Sequence, residues 1–342
     1  MSSSTTVGVG VIGLGFMGGV HLRALRAARK RGAPVRTVAV WDHRAEKCAE
    51  GGRGVRGNLT TTDAEPLFDP GSVRVHETCD ALLADPEVTA VHICTPTDSH
   101  LEWIERSAQA GKHVLVEKPV ALGRAAIEET AARVADAGVH VMPAMCMRFW
   151  PGWTWLKDRL ADGSLGALRA LTCLRIGAPP TWSSDFYLDV VRSGDAIVDL
   201  HIHDVDFLRW LFGPPSRVST VGTTRHLTTS YSFERTETMV VAEGGWLPTP
   251  GAPFRMEYRA SFEKGVAEFS IGADPWLQLH TPDGVVHPEV PLGDGYDGEI
   301  AHWVESLAAG RAPGPTLAEA ADVMRIIEAE RESLRSGGPI SL

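Results

Sequence analysis

The chain is poor in the features that mark secreted, membrane-spanning or nucleic-acid-binding proteins. Its 342 residues include five cysteines (Cys48, Cys79, Cys94, Cys146 and Cys173), an odd number with no CxxC spacing, which indicates neither a disulfide framework nor a zinc site. No uncharged apolar run reaches the roughly 18 residues needed to cross a bilayer, so no membrane partner is expected. The opening Met-Ser-Ser-Ser-Thr-Thr lacks the basic and apolar parts of a signal peptide, and the expected location is the cytoplasm. Positive charge is short too: a net charge of −10 argues against a phosphate-backbone partner, and the basic cluster from Arg23 to Arg31 reads as a solvated helix face. No internal repeat is visible. What remains is 44% hydrophobic and 22% charged, an ordinary globular composition at a length that suggests two domains.

The first chemical signal is Val7-Gly-Val-Gly-Val-Ile12, a run of strand length, followed by Gly13-Leu-Gly15-Phe16-Met17-Gly18 and a helical pattern through Leu22, Leu25 and Ala28. A strand, then GxGxxG, then a helix is the context in which this motif binds a dinucleotide. Gly13 allows the tight turn, Gly15 lets the backbone approach a pyrophosphate, and Gly18 lets helix and sheet pack closely. The phosphates then sit at the positive helix N-terminus, with Phe16 and Met17 in the turn beside them. His21, one turn further, reads as packing. The second strand, residues 36–41, ends at Asp42, where a carboxylate accepts from both ribose hydroxyls and repels a 2′-phosphate. That favours NAD, while Arg44 keeps NADP open as the alternative.

Residues 51–76 show no sustained period and read as a long loop. A short helix at residues 80–84 leads to the buried strand 90–94, which stops at Thr95-Pro96-Thr97-Asp98-Ser99-His100. A helix follows over 101–110, then a strand over 113–116 that ends in Glu117-Lys118-Pro119. Ligands of open α/β sheets bind at the carboxyl ends of strands, so these polar strand ends point to one shared crevice.

Residues 193–213 read as one capped apolar helix, with Ser193 or Asp195 as N-cap and Gly213-Pro-Pro as its stop. Asp199 and His203, four apart on a helix, lie within about 40° of one another, and a carboxylate one turn from an imidazole can orient it for proton transfer. Two other readings compete: a satisfied buried pair without chemistry, and a metal site at His201-Ile-His203. On a helix, residues two apart point about 200° from each other and cannot grip one ion, so no metal is expected.

Gly13-x-Gly15-x-x-Gly18, Thr95-Pro96-x-x-x-His100, Glu117-Lys118-Pro119 and Asp199-x-x-x-His203-Asp204-x-Asp206, in this order, resemble the glucose-fructose oxidoreductase and inositol dehydrogenase family of NAD(P)-dependent enzymes. The likeness runs from about residue 7 to 215. It implies an α/β protein with an N-terminal Rossmann domain (residues 1–145), a doubly wound parallel sheet. An α/β domain (146–342) follows, with a large, mostly antiparallel open-faced sheet that covers the substrate site and forms the oligomer interface of a homodimer or homotetramer. The expectation for the last helix includes packing back on the first domain.

By motif, the resemblance assigns Gly13, Gly15, Phe16, Met17, Gly18, Asp42, Thr95, Pro96, His100, Glu117 and Lys118 to the cofactor. It assigns Lys118, Arg148, Asp199 and His203 to the substrate, and Lys118, Asp199 and His203 to catalysis. The implied reaction moves hydride between a secondary hydroxyl of a sugar, sugar derivative or cyclitol and nicotinamide. Rivals are a glycoside-cleaving enzyme that retains its NAD, and a non-catalytic NAD sensor. Leu200 stands where inositol dehydrogenases tend to carry a small hydroxyl residue; leucine cannot hydrogen-bond a polyol, which argues against inositol itself.

In the second half, Trp153, Trp155, Trp182 and Tyr187 read as core or interface before sugar platforms. Short strands at residues 239–242, 254–260, 267–271 and 276–280 alternate as a sheet with one face covered does. Helices close the chain at 299–308 and 316–334. Gly293-Asp-Gly-Tyr296 resembles a loop from which relatives send an aromatic residue into the pocket.

Overall fold

A computed structural model describes residues 6–49, 51, 66–181, 183–234 and 236–342. Trp182 and most of the 51–76 stretch lie outside the described residues. The chain divides into two compact units, Met1–Cys146 with Gly295–Ala321, and Met147–Asp294 with Asp322–Leu342.

The first unit runs β1 (Val7–Ile12), α1 (Phe16–Lys30), β2 (Val35–Trp41), α2 (Ala45–Ala49), β3 (Arg74–Val75), α3 (Cys79–Ala84), β4 (Ala90–Ile93), α4 (His100–Gln109), β5 (His113–Val116), α5 (Arg124–Val134) and β6 (Val141–Pro143). Its six strands pair in the order β3-β2-β1-β4-β5-β6, every pair parallel. This is the doubly wound order, with its reversal between β1 and β4. β1 and β4 are buried along their whole length, as strands covered on both faces must be. The strand ends that follow, at residues 13–18, 95–100 and 117–119, therefore share one edge of the sheet.

The second unit opens with α6 (Pro151–Asp162) and β7 (Leu168–Gly177), followed by α7 (Ser184–Tyr187), α8 (Val190–Ser193), α9 (Ala196–Asp199) and α10 (Ile202–Phe212). Then come β8 (Arg217–Gly222), β9 (His226–Phe233), β10 (Thr236–Trp246), β11 (Arg255–Phe262), β12 (Gly265–Ser270), β13 (Leu277–Thr281) and β14 (Gly284–Val286). After α11 (Gly295–Ala308), which packs on α1 in the first unit, α12 (Leu317–Ser336) and β15 (Ile340–Ser341) complete the chain. The sheet has nine strands in the order β14-β13-β12-β11-β7-β10-β9-β8-β15, antiparallel except for β10 beside β7.

Alternation sets the faces of this sheet. Met256, Tyr258, Ala260 and Phe262 of β11 are buried while Arg255 and Arg259 are exposed. On the covered face Trp153 of α6 meets Phe207 of α10 at 4.6 Å and Tyr258 at 5.3 Å, edge on, and is itself fully buried. Trp155 is also buried, and Tyr187 packs against Trp246, so the described aromatics serve the core.

The single helix expected over 193–213 is instead broken. Asp195 caps α9 through Ala196 N–H (3.0 Å), and α10 begins only at Ile202. At the junction His201 N–H returns five residues to the Ala196 carbonyl (2.9 Å), a wide turn that lets His201 reach inward.

Candidate functional site

In the first unit the site starts at the glycine turn. Gly13 has φ +93°, and a Cβ on Gly18 would stand 2.1 Å from the Gly13 carbonyl, so both positions require glycine. Gly15 differs: a Cβ there meets nothing within 4 Å, which leaves open space over the backbone. Gly15 is also the N-cap of α1 and brings no capping side chain of its own, and no acidic residue occupies the first turn. The positive end of a 15-residue helix therefore faces that space with no acidic side chain in its own first turn, as suits a pyrophosphate. Phe16 and Met17 are half-buried beside it.

Asp42, at the end of β2, is buried and holds the turn: its Oδ2 accepts the Leu14 amide at 2.7 Å and its Oδ1 the Arg44 amide at 2.9 Å. Thr95 is half-buried and Pro96 exposed at the end of β4. His100 clamps that strand end to the next one, with Nε2 2.8 Å from the Thr95 carbonyl and Nδ1 2.9 Å from that of Pro119. Burial lowers its pKa, and the two carbonyls, which only a doubly protonated ring satisfies together, oppose that shift. Glu117 is buried; its Oε1 accepts His21 Nε2–H at 2.9 Å and its Oε2 the Lys118 amide at 3.1 Å. Lys118 itself is half-buried between the buried Glu117 and Pro119.

In the second unit, every residue from 193 to 208 is buried except two, Asp199 and His203. The others are accounted for by packing. Leu200 joins Ala196 and Trp246 in a buried cluster, which explains a leucine there without reference to any ligand. His201 turns into the core, where its Nε2 lies 3.0 Å from the Tyr231 hydroxyl, which donates to Glu330 at 2.6 Å. Gly244 makes room for it, since a Cβ there would lie 2.6 Å from His201 Nδ1. Asp204 pairs with Arg175 through two bonds of 2.9 Å, and Asp206 with Arg148 through bonds of 2.9 and 2.6 Å.

Arg148, expected at the substrate, is thus buried in a bidentate pair with Asp206. Removing either partner of such a pair strands a buried charge, at a cost of about 3–5 kcal/mol, so an Arg148 variant would report stability as well as binding. Tyr296 lies in the first turn of α11, half-buried, in the first unit. Among the described residues no group of three or more His, Cys, Asp or Glu side chains is arranged to hold a metal ion. His21 and His92 escaped a functional reading. His92 interrupts an otherwise apolar strand and His21 lies on the buried face of α1 among Val20, Leu22 and Leu25, and that mismatch was the available signal.

Residues 7–145 match the family profile described as an oxidoreductase family with an NAD-binding Rossmann fold, and residues 153–244 match the GFO/IDH/MocA C-terminal domain. An uncharacterized oxidoreductase of Rhizobium meliloti is 31% identical over 283 residues, covering 80% of this chain and 77% of that protein. An inositol 2-dehydrogenase of Rhizobium meliloti strain 1021 is 32% identical over 210 residues, covering 61% of this chain and 56% of that protein. The chain thus matches little more than half the length of this relative. Among solved structures, the aldose-aldose oxidoreductase of Caulobacter crescentus, complexed with glycerol, has a TM-score of 0.82 at 21% identity, covering 98% of this chain and 100% of that one, a likeness of fold.

Proposed function

The chain belongs to the GFO/IDH/MocA oxidoreductase family, and on that premise we propose that it oxidises or reduces a sugar, sugar derivative or cyclitol at a secondary hydroxyl carbon. A nicotinamide cofactor, when bound, accepts or gives the hydride. The open space over Gly15 and the helix N-terminus behind it would hold its pyrophosphate, and Asp42 its ribose. His203 moves the proton of the reacting hydroxyl, and Asp199 orients its ring. Lys118 lies against the same oxygen, where a cation is worth most as negative charge develops. The reading assigns Lys118, Asp199 and His203 to one carbon–oxygen bond.

The observation that carries this reading is selective exposure. In a segment buried from 193 to 208, the two residues that stay half-buried are an acid and a histidine. A pair serving only the core would be covered like Asp204 and Asp206, which are buried with arginine partners. Lys118 follows the same rule, half-buried amid buried neighbours. The relatives named as acting on inositol and on aldoses support the substrate class.

The test is a reduction screen with NAD and NADP over sugars, cyclitols and sugar acids, followed by two variants on the best substrate. His203→Ala should lose about 10²- to 10⁴-fold in kcat. Lys118→Met should lose turnover as severely, while NAD binding, read by fluorescence titration, persists in both. Near-normal turnover in the two variants would remove these roles.

A further inference from the structure

Beneath the Glu117-Lys118 turn the first unit carries a buried chain of polar side chains that the proposed reaction does not use. His21 of α1 sets its Nε2 2.9 Å from Glu117 Oε1 and its Nδ1 3.1 Å from Nδ1 of His92 on β4. Both histidines are almost completely buried, and Glu117 is about 5% exposed. The Trp303 ring of α11 closes the far side, its centroid 6.4 Å from that of His92.

The geometry assigns the protons. A carboxylate only accepts, so His21 Nε2 carries hydrogen and donates to Glu117. Only one proton fits between the two Nδ1 atoms. Among the described residues His92 Nε2 has no hydrogen-bond partner, and a buried orphan N–H is costlier than an orphan lone pair, so His92 holds its proton on Nδ1 and donates it to His21. Burial, and then the neighbouring His21, keep the His92 pKa well below its usual value, which agrees with a neutral ring at the end of the chain.

We infer that His21 is a positioning residue: through the buried chain from His92 to Glu117 it fixes the carboxylate that receives the Lys118 amide, and so ties the helix behind the glycine turn to the strand end that presents Lys118. The inference rests on the proposed function for the importance of Lys118, though not for the wiring itself. α1 is capped at Gly15, and six residues past the cap its His21 grips the residue that follows β5. A dinucleotide seated on the first turn of α1 and a lysine placed against a substrate oxygen are thereby held in one frame. Glu117 needs such a grip because it sits where the β5 ladder stops, its own amide taking the Ile93 carbonyl at 2.9 Å and its side chain left to local partners.

Two variants separate this role from mere packing. His21→Gln places an amide N–H near the position of Nε2 and can keep the bond to Glu117, whereas His21→Asn places its amide near Nδ1, keeps a contact to His92 and loses Glu117. Residue-resolved amide hydrogen exchange on the whole chain, without substrate, should show Lys118 exchanging about five- to tenfold faster in His21→Asn, the size expected for one hydrogen bond, and close to wild type in His21→Gln. The Glu117 amide, paired in the sheet, serves as the internal control. With the cofactor present and a substrate from the screen, kcat should fall about tenfold in His21→Asn with KM for NAD little changed, and recover in His21→Gln. Equal acceleration at Lys118 in both variants would reduce His21 to a packing residue, and no acceleration in either would overturn the inference outright. A wild-type chain inactive on every polyol would remove the proposed function but leave the exchange result intact, so the two failures are distinguishable.

Discussion

Asp42 shows how much a single carboxylate is asked to do. It closes the glycine turn through the Leu14 amide and the start of the next segment through the Arg44 amide, so a ribose hydroxyl must use the remaining lone pairs. Two side chains stand beside it: His43 Nδ1 is 3.2 Å and the Arg44 cation, at Nε, 3.5 Å from Oδ1, and both side chains are about half exposed or more. A 2′-phosphate would meet the carboxylate head on, with Arg44 as a near counter-ion. Asp42→Ala is therefore expected to raise KM for NAD and shift the NADP-to-NAD ratio of kcat/KM upward by about tenfold or more, since it removes the repulsion and frees Arg44. An unchanged ratio would mean that Asp42 only braces the turn. The position of Asp42 was legible because a spacing encodes it. Its hydrogen bond to Leu14 was not, because that depends on how two strand ends meet.

Among elements, the broken helix over 193–213 shows where sequence patterns stop being informative. Caps and apolar residues mark where the segment starts and stops, and Asp195 and Gly213 do both. The wide turn at His201 has its cause elsewhere in the second unit, in Tyr231 on β9, Glu330 on α12 and the space left by Gly244 on β10. Burial opposes charge on His201, but the Glu330 carboxylate 3.4 Å from its Nε2 outweighs that and raises its pKa above the ordinary value. The folded state then keeps a proton that the unfolded chain gives up above about pH 6.5. This contribution to stability is complete below that pH and is lost as pH rises through the folded pKa. We expect the melting temperature to decline as pH rises above about 6.5, and the decline to be shallower in Glu330→Gln, in which the attraction is gone. Parallel pH profiles for the two proteins would show that His201 is neutral throughout.

For the whole molecule, the strands of the second unit were legible from alternation, and the same alternation leaves one face of its sheet uncovered. Ala170, Thr172 and Leu174 of β7, Met239 and Val241 of β10, and Glu257 and Arg259 of β11 stand on that face in register, none of them buried. Antiparallel sheets tolerate one wet face, yet a broad face mixing leucine, methionine and valine with charges of both signs resembles an interface more than a solvated surface. The grouping of Gly295–Ala321 with the first unit has no local sequence mark, because it depends on α11 meeting α1 across most of the chain. We expect the chain to assemble as a homodimer or homotetramer through the open sheet face. In a two-fold assembly each substitution appears twice in the interface, so Val241→Arg sets like charges against one another while disturbing little within a single copy, where Val241 is already partly exposed. Light scattering behind size exclusion should then find the wild type at twice or four times the 36.9 kDa chain mass and the variant at a smaller multiple. A monomeric wild type at micromolar concentration, or a variant that assembles as the wild type does, would leave this face as ordinary solvated sheet.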